Sequence, residues 1–177
     1  MSQAVDARRA AAIPPLTEEQ ARRRREYIQR LKGDSSWGFE SVPDDFEHTW
    51  ERTITPEAVR LYTDGVEEMN PWYESESPFG KAIVPPFFLS RESAHCFDPL
   101  GPGVGRVHVS HETELLEPIL VGTTVRLKAK VGRKYFKRDR RYIDVNIDIT
   151  DAATGKLLAR EKRSVIAEYR KMGEASS

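Results

Sequence analysis

Three side chains in the stretch 62–89, YTDGVEEMNPWYESESPFGKAIVPPFFL, have the types and spacing to act on a small molecule: Glu68, Asn70 and Tyr73. A carboxylate can carry a proton, an amide can fix a carbonyl or a water, and a phenol can donate a hydrogen bond. Asn70-Pro71 is a strong turn signal, so the three share one tight reversal. The paired Pro85-Pro86 suit the first turn of a helix, where a backbone N–H would be unsatisfied anyway. The stretch therefore predicts a short helix, a polar reversal, and an apolar helix starting abruptly within Phe79–Cys96. Glu68, Asn70 and Tyr73 come to lie near the start of that helix. The plain alternatives are a surface carboxylate for Glu68, a turn residue for Asn70 and a packed aromatic for Tyr73.

Other residues invite chemistry less strongly. Arg133, Lys134 and Tyr135 form a basic-aromatic group that could meet the phosphates of a nucleotide, or could simply be a solvated hairpin end. His108 and His111 are three apart in a predicted strand and so are expected on opposite faces, unable to ligate one ion together. No His, Cys or carboxylate grouping has zinc spacing, and no metal is expected. His95, on the expected central helix, is kept as a candidate substrate contact, the plainer alternative being a satisfied buried histidine. Cys96 lies in an apolar stretch and reads as a small buried hydrophobe rather than a nucleophile.

These residues need elements to hold them. Leu16–Lys32 is a helix candidate with Thr17 as N-cap and Gln20 three residues on, as in a capping box. Its Arg22–Arg25 run is flanked by acidic residues and reads as a solvated face. His48–Ile54 alternates as a strand. Thr55-Pro56-Glu57 opens a helix running to about Glu67, with Val59, Tyr62 and Val66 on one face. After the Gly/Pro loop Asp98–Gly105 the pattern becomes strands: Arg106–Leu115, Thr123–Lys137, Arg141–Thr150 and Leu157–Ala167, with a charged hairpin tip at Lys137–Arg140. Helices segregated from a run of antiparallel strands argue an α+β domain. A long apolar helix followed by a curved meander is the layout of a single hot-dog fold. The expected division is residues 1–43 as tail and helical extension, 44–169 as the hot-dog domain, and 170–177 as a polar tail.

The chain has 177 residues, enough to bury a core, with 28 Lys and Arg against 28 Asp and Glu. Zero formal charge gives no reason to expect nucleic acid or an anionic membrane as partner. One cysteine permits no intrachain disulfide, no apolar run reaches the ~20 residues of a spanning helix, and no signal-type segment opens the chain. The expectation is a cytoplasmic protein.

From His48 to Ala167 the sequence resembles the MaoC-like hydratase/dehydratase family, and within it the N-terminal-half type that includes fatty-acid-synthase-type dehydratase-like domains. The carrying residues are Thr55-Pro56-Glu57, the Asn70-Pro71-Trp72-Tyr73 turn, Phe79-Gly80 through Leu89, Glu117–Thr123, Gly132–Tyr135 and Thr154–Ala159. The resemblance implies an acyl thioester substrate, usually a coenzyme A ester or a carrier-protein ester, with no further cofactor, and hydration of a 2-enoyl or dehydration of a 3-hydroxyacyl thioester. It implies that the acyl chain lies along the central helix between two protomers or two fused domains. Pro85, Pro86, Phe87, Phe88 and His95 would then contact the acyl group, with Arg133 and Tyr135 toward coenzyme A.

Three positions depart from the family pattern. Glu68 stands at the Asp position, Tyr73 at the His position and Pro86 at the helix-start Gly position, whereas Asn70 and Pro71 match. Tyrosine, with an unperturbed pKa near ~10, is a poor partner for activating water. Proline has no amide hydrogen to offer an oxyanion. Loss of one such donor costs on the order of 10²–10³ in rate. The expectation is a subunit that shapes the acyl pocket while a partner MaoC-like chain supplies Asp and His, in a homodimer or heteromer built through the sheet. The alternatives are an active homo-oligomeric hydratase using Glu68, and a non-enzymatic thioester-binding module.

Overall fold

The structure is a computed structural model that describes residues 17–31, 38–100 and 106–167. The chain divides into two compact units, Met1–Asp34 and Ser35–Ser177. Of the first, the described part is one helix, α1 (Glu18–Leu31). It opens with Glu18 and Glu19 in its first turn, where acidic charge suits the helix dipole. The Ala21 N–H reaches the Thr17 carbonyl at 2.8 Å. Arg22 pairs with Glu26 one turn on, as the solvated-face reading expects. The Gln20 side chain, and with it the capping box, lies outside the described residues, as do Leu16 and Lys32.

The second unit carries a five-stranded antiparallel sheet. Its strands are β1 (Glu47–Thr53), β2 (Val107–Leu115), β3 (Thr124–Lys137), β4 (Arg140–Asp151) and β5 (Leu157–Ala167), in the spatial order β1-β3-β4-β5-β2. The long central strands alternate as the sequence requires. Val125, Leu127 and Ala129 of β3 and Val145, Ile147 and Ile149 of β4 point inward and are buried. The hairpin tip places Arg138 and Asp139 at φ 49 and 56, the left-handed pair that matches strand twist in a two-residue turn.

Helix α2 (Pro56–Gly65) starts as its sequence demands. Thr55 Oγ1 accepts the Ala58 N–H at 3.2 Å, and Pro56 occupies the first helical position. Val59 and Thr63 are buried beneath it.

The apolar segment differs from the expectation of a long central helix. Helix α3 spans only Phe88–Glu92, and a 3-10 stretch, Ser93–Leu100, continues it. Val84 precedes Pro85, which disfavours helical backbone there, and its N–H bonds the Ile119 carbonyl at 2.8 Å. The Phe88 N–H closes a turn on Pro85 O at 3.0 Å, so the prolines end a strap rather than begin a helix. At the other end the Ser90 carbonyl is taken by Ser93 Oγ at 3.0 Å and by Arg163 Nη1 at 3.1 Å. A continuing α-helix needs that carbonyl for its own ladder. Phe88, Leu89, Cys96 and Phe97 still pack onto the inner face of the sheet as one core with Val59, Leu127 and Ile147. The architecture is therefore α+β, a hot-dog fold with an abbreviated central helix.

Candidate functional site

The turn after α2 is built by the residues singled out for chemistry. Glu68 Oε1 accepts the Asn70 backbone N–H at 2.9 Å. Asn70 Oδ1 in turn accepts the Trp72 N–H at 3.1 Å, capping the 3-10 turn Pro71–Tyr73. Both polar groups are thus committed to local backbone, and Glu68 is exposed. The Ile83 N–H donates to Trp72 O at 2.9 Å, and the Ile83–Leu120 bridge fastens the strap to the loop before β3. These bonds set the turn beside Pro85.

Between turn, strap and the end of β2 lies a cavity of about 290 Å³. Tyr73, Pro85, Pro86, Leu89, Leu115 and Ile119 are among its walls, and among the described residues the only ionisable groups on it are Tyr73 and Glu117. Lys156 holds Glu117 at 2.8 Å. Tyr73 is half-buried, and with Glu68 it helps raise the pKa of Tyr62, after the larger effect of burial. Tyr62 meets Phe88 edge-on with ring centroids 5.6 Å apart. Pro86 carries no N–H, and the Phe87 N–H makes no hydrogen bond among the described residues.

The structure thus brings Tyr73, Pro85 and Pro86 together on one cavity, with Glu68 and Asn70 in the turn behind Tyr73. It separates the rest. Phe88 is buried in the core, whereas Phe87 is 65% exposed. His95 lies on the 3-10 stretch, not on a central helix, and its Nδ1 is 2.8 Å from Asp98 Oδ2. Arg133 and Tyr135 share the outer face of the sheet with Asp144. Arg133 Nε reaches Asp144 Oδ2 at 2.6 Å, and its guanidinium stacks 4.4 Å from the Tyr135 ring centre. Burial acts to raise the Asp144 pKa, but the Ser164 hydroxyl at 2.6 Å and Arg133 outweigh it and leave the carboxyl below its ordinary range.

The placement of His108 and His111 on opposite faces is overturned. The β2–β5 register shifts between His108 and Ser110, and this extra residue turns both rings to one side, 5.6 Å apart. No group of three or more His, Cys, Asp or Glu side chains arranged to hold a metal occurs among the described residues. His111 Nε2 instead lies 3.1 Å from Oε2 of Glu161, whose side chain is fully buried. Cys96 is buried, and burial pushes its thiol up to about 11, so it behaves as the hydrophobe its surroundings suggested. Sequence reasoning missed Leu115, Leu116 and Ile119 as pocket walls. The available signal was the apolar pair Leu115-Leu116 at a strand end, just before a turn.

No protein-family profile and no curated protein sequence matches this chain. Solved structures do. The (R)-hydratase PhaJ1 from Pseudomonas aeruginosa superposes with a TM-score of 0.62 at 15% identity, over 73% of this chain and 84% of that one. The 3R-hydroxyacyl-ACP dehydratase complex HadBC from Mycobacterium tuberculosis gives 0.61 at 16%, over 71% and 99%. The ChsH1-ChsH2 complex from the same organism gives 0.56 at 11%, over 83% and 92%. No helix among the described residues is long and apolar enough to cross a membrane. At these identities the likeness establishes architecture, and this chain has the hot-dog fold that those hydratases and dehydratases share.

Proposed function

We propose that this chain is a MaoC-like subunit of an acyl-thioester hydratase/dehydratase. It holds the acyl group in the Tyr73–Leu115 cavity, while a second chain of the same fold supplies the Asp and His that activate water. The observation that carries this reading is the double commitment of the turn. Its carboxylate and its amide both hold backbone, yet the turn still walls an apolar cavity against the Pro85-Pro86 strap. The acyl chain would lie against Leu89, Leu115 and Ile119, with the thioester carbonyl at the Pro86-Phe87 end. There the Phe87 N–H is the remaining backbone donor for developing negative charge.

The two sheet edges support a partner of this fold. Edge strand β1 presents Glu47 and Glu51, charges that discourage further pairing, whereas edge strand β2 ends in exposed Leu115 and carries exposed Val107 and Val109. A second sheet added along β2 would cover these side chains and border the cavity through Leu115 and Leu116. Two of the structural neighbours are themselves two-chain complexes, HadBC and ChsH1-ChsH2.

The test is co-expression with hot-dog chains encoded beside it, purification of any complex, and an assay of 2-enoyl-coenzyme A hydration. Hydration by the complex and none by the isolated chain supports the assignment. Hydration by the isolated chain that depends on Glu68 supports the homo-oligomeric alternative. Binding of acyl-coenzyme A without turnover in any mixture supports a binding module.

A further inference from the structure

A second cavity, of about 400 Å³, lies away from the turn, between the 3-10 stretch and the β5–β2 end of the inner sheet face. Its polar walls are Arg106, His108 and Arg163, and its apolar walls include Phe97, Val145 and Val165. Among the described residues no Asp or Glu lines it. The volume falls in the range of small-ligand sites, and an apolar body with a few convergent polar groups is the composition such sites have.

Arg163 is the informative wall. Its Nη1 is spent on Ser90 O at 3.1 Å and Ser93 Oγ at 2.9 Å, which fixes the guanidinium against α3. Its Nε and Nη2 hydrogens have no acceptor among the described residues, and no carboxylate pairs with it there. The nearest acid along its own strand, Glu161, faces His111 instead. A half-buried guanidinium without a counter-charge is costly unless an anion meets it. The local field is positive enough that His108, already lowered by burial, is lowered further by Arg163. Arginine's planar fork matches the two oxygens of a carboxylate.

We propose that this cavity binds a small organic carboxylate, its oxygens on Arg163 and Arg106 and its short apolar body against Phe97, Val145 and Val165. The site is separate from the Tyr73 cavity and does not depend on the acyl-thioester reading. Calorimetric titration of the full chain with butyrate tests it, alongside inorganic phosphate and the uncharged butanol. The expected result is saturable one-site binding of butyrate, no binding of butanol, and a Kd weakened about tenfold by Arg163→Gln or Arg106→Gln. Because Arg163 also pins α3, Arg106→Gln at the exposed rim is decisive if Arg163→Gln does not fold. Absence of butyrate binding, affinity unchanged by Arg106→Gln, or phosphate binding tighter than butyrate would overturn the assignment.

Discussion

Glu68 Oε1 accepts the backbone N–H of Asn70 at 2.9 Å, so this carboxylate is a fastening of the turn it sits in. Its isostere offers the same oxygen. Glu68→Gln is expected to keep the turn and to leave turnover of an active complex within about twofold of wild type. Loss of turnover with an unchanged melting temperature would make Glu68 the acid–base group instead.

Asn70 holds the next bond in the chain of fastenings. Asn70→Ala removes the acceptor for the Trp72 N–H and is expected to cost about 1 kcal/mol in urea unfolding, the scale of a lost helix cap. Asn70→Asp keeps the acceptor and should restore most of it. Equal loss in both variants would show that the side-chain oxygen is not what stabilises the turn.

The sheet was readable from alternation alone. Val125, Leu127 and Ala129 place the inner face of β3, and Leu157–Ala167 forms the last strand with the bounds its pattern suggests. The cap at Thr55 was equally legible because a side-chain oxygen and a proline act locally. What escaped was long-range. Arg163 takes the Ser90 carbonyl from 73 residues away, and no window around Phe88 contains that information. One extra residue in β2 at Val109 reverses the facing of His108 relative to His111, because a strand changes face at every residue. The basic-aromatic pair Arg133 and Tyr135 was visible, but its counter-charge Asp144 lies across a register shift on β4. Of the site, the Tyr73 turn and the prolines were found, while the β2 and Ile119 walls were not, since pocket walls are set by tertiary proximity.

The Asp144 cluster should govern acid stability on the outer sheet face. A carboxyl whose folded pKa is lowered stabilises the fold above its unfolded value, about 3.9, and that contribution fades as pH falls through the folded value. Asp144→Ala leaves the buried Ser164 hydroxyl without its acceptor and is expected to cost about 1–3 kcal/mol at neutral pH. The difference from wild type should shrink as the solution is acidified below pH ~4. A difference independent of pH would mean that the carboxylate charge is not what the cluster uses.

The β3–β4 hairpin asks two ordinary residues to adopt left-handed backbone. Replacing Arg138 and Asp139 together by Asn and Gly, which accept that geometry at lower cost, is expected to stabilise the protein by about 1 kcal/mol. Thermal and urea unfolding would both register the gain. A loss would indicate that the charges of Arg138 or Asp139 contribute more than the turn geometry.

Hydration of a 2-enoyl-coenzyme A, followed with this chain alone and in complex with a second hot-dog chain bearing Asp and His, tests borrowed chemistry most directly. The expected result is thioester binding by the isolated chain with no turnover, and rapid hydration once the complex forms, abolished by removing the partner's acid. Rapid hydration by the isolated chain, or a complex whose activity survives filling the Tyr73 cavity by Leu89→Trp, would contradict it.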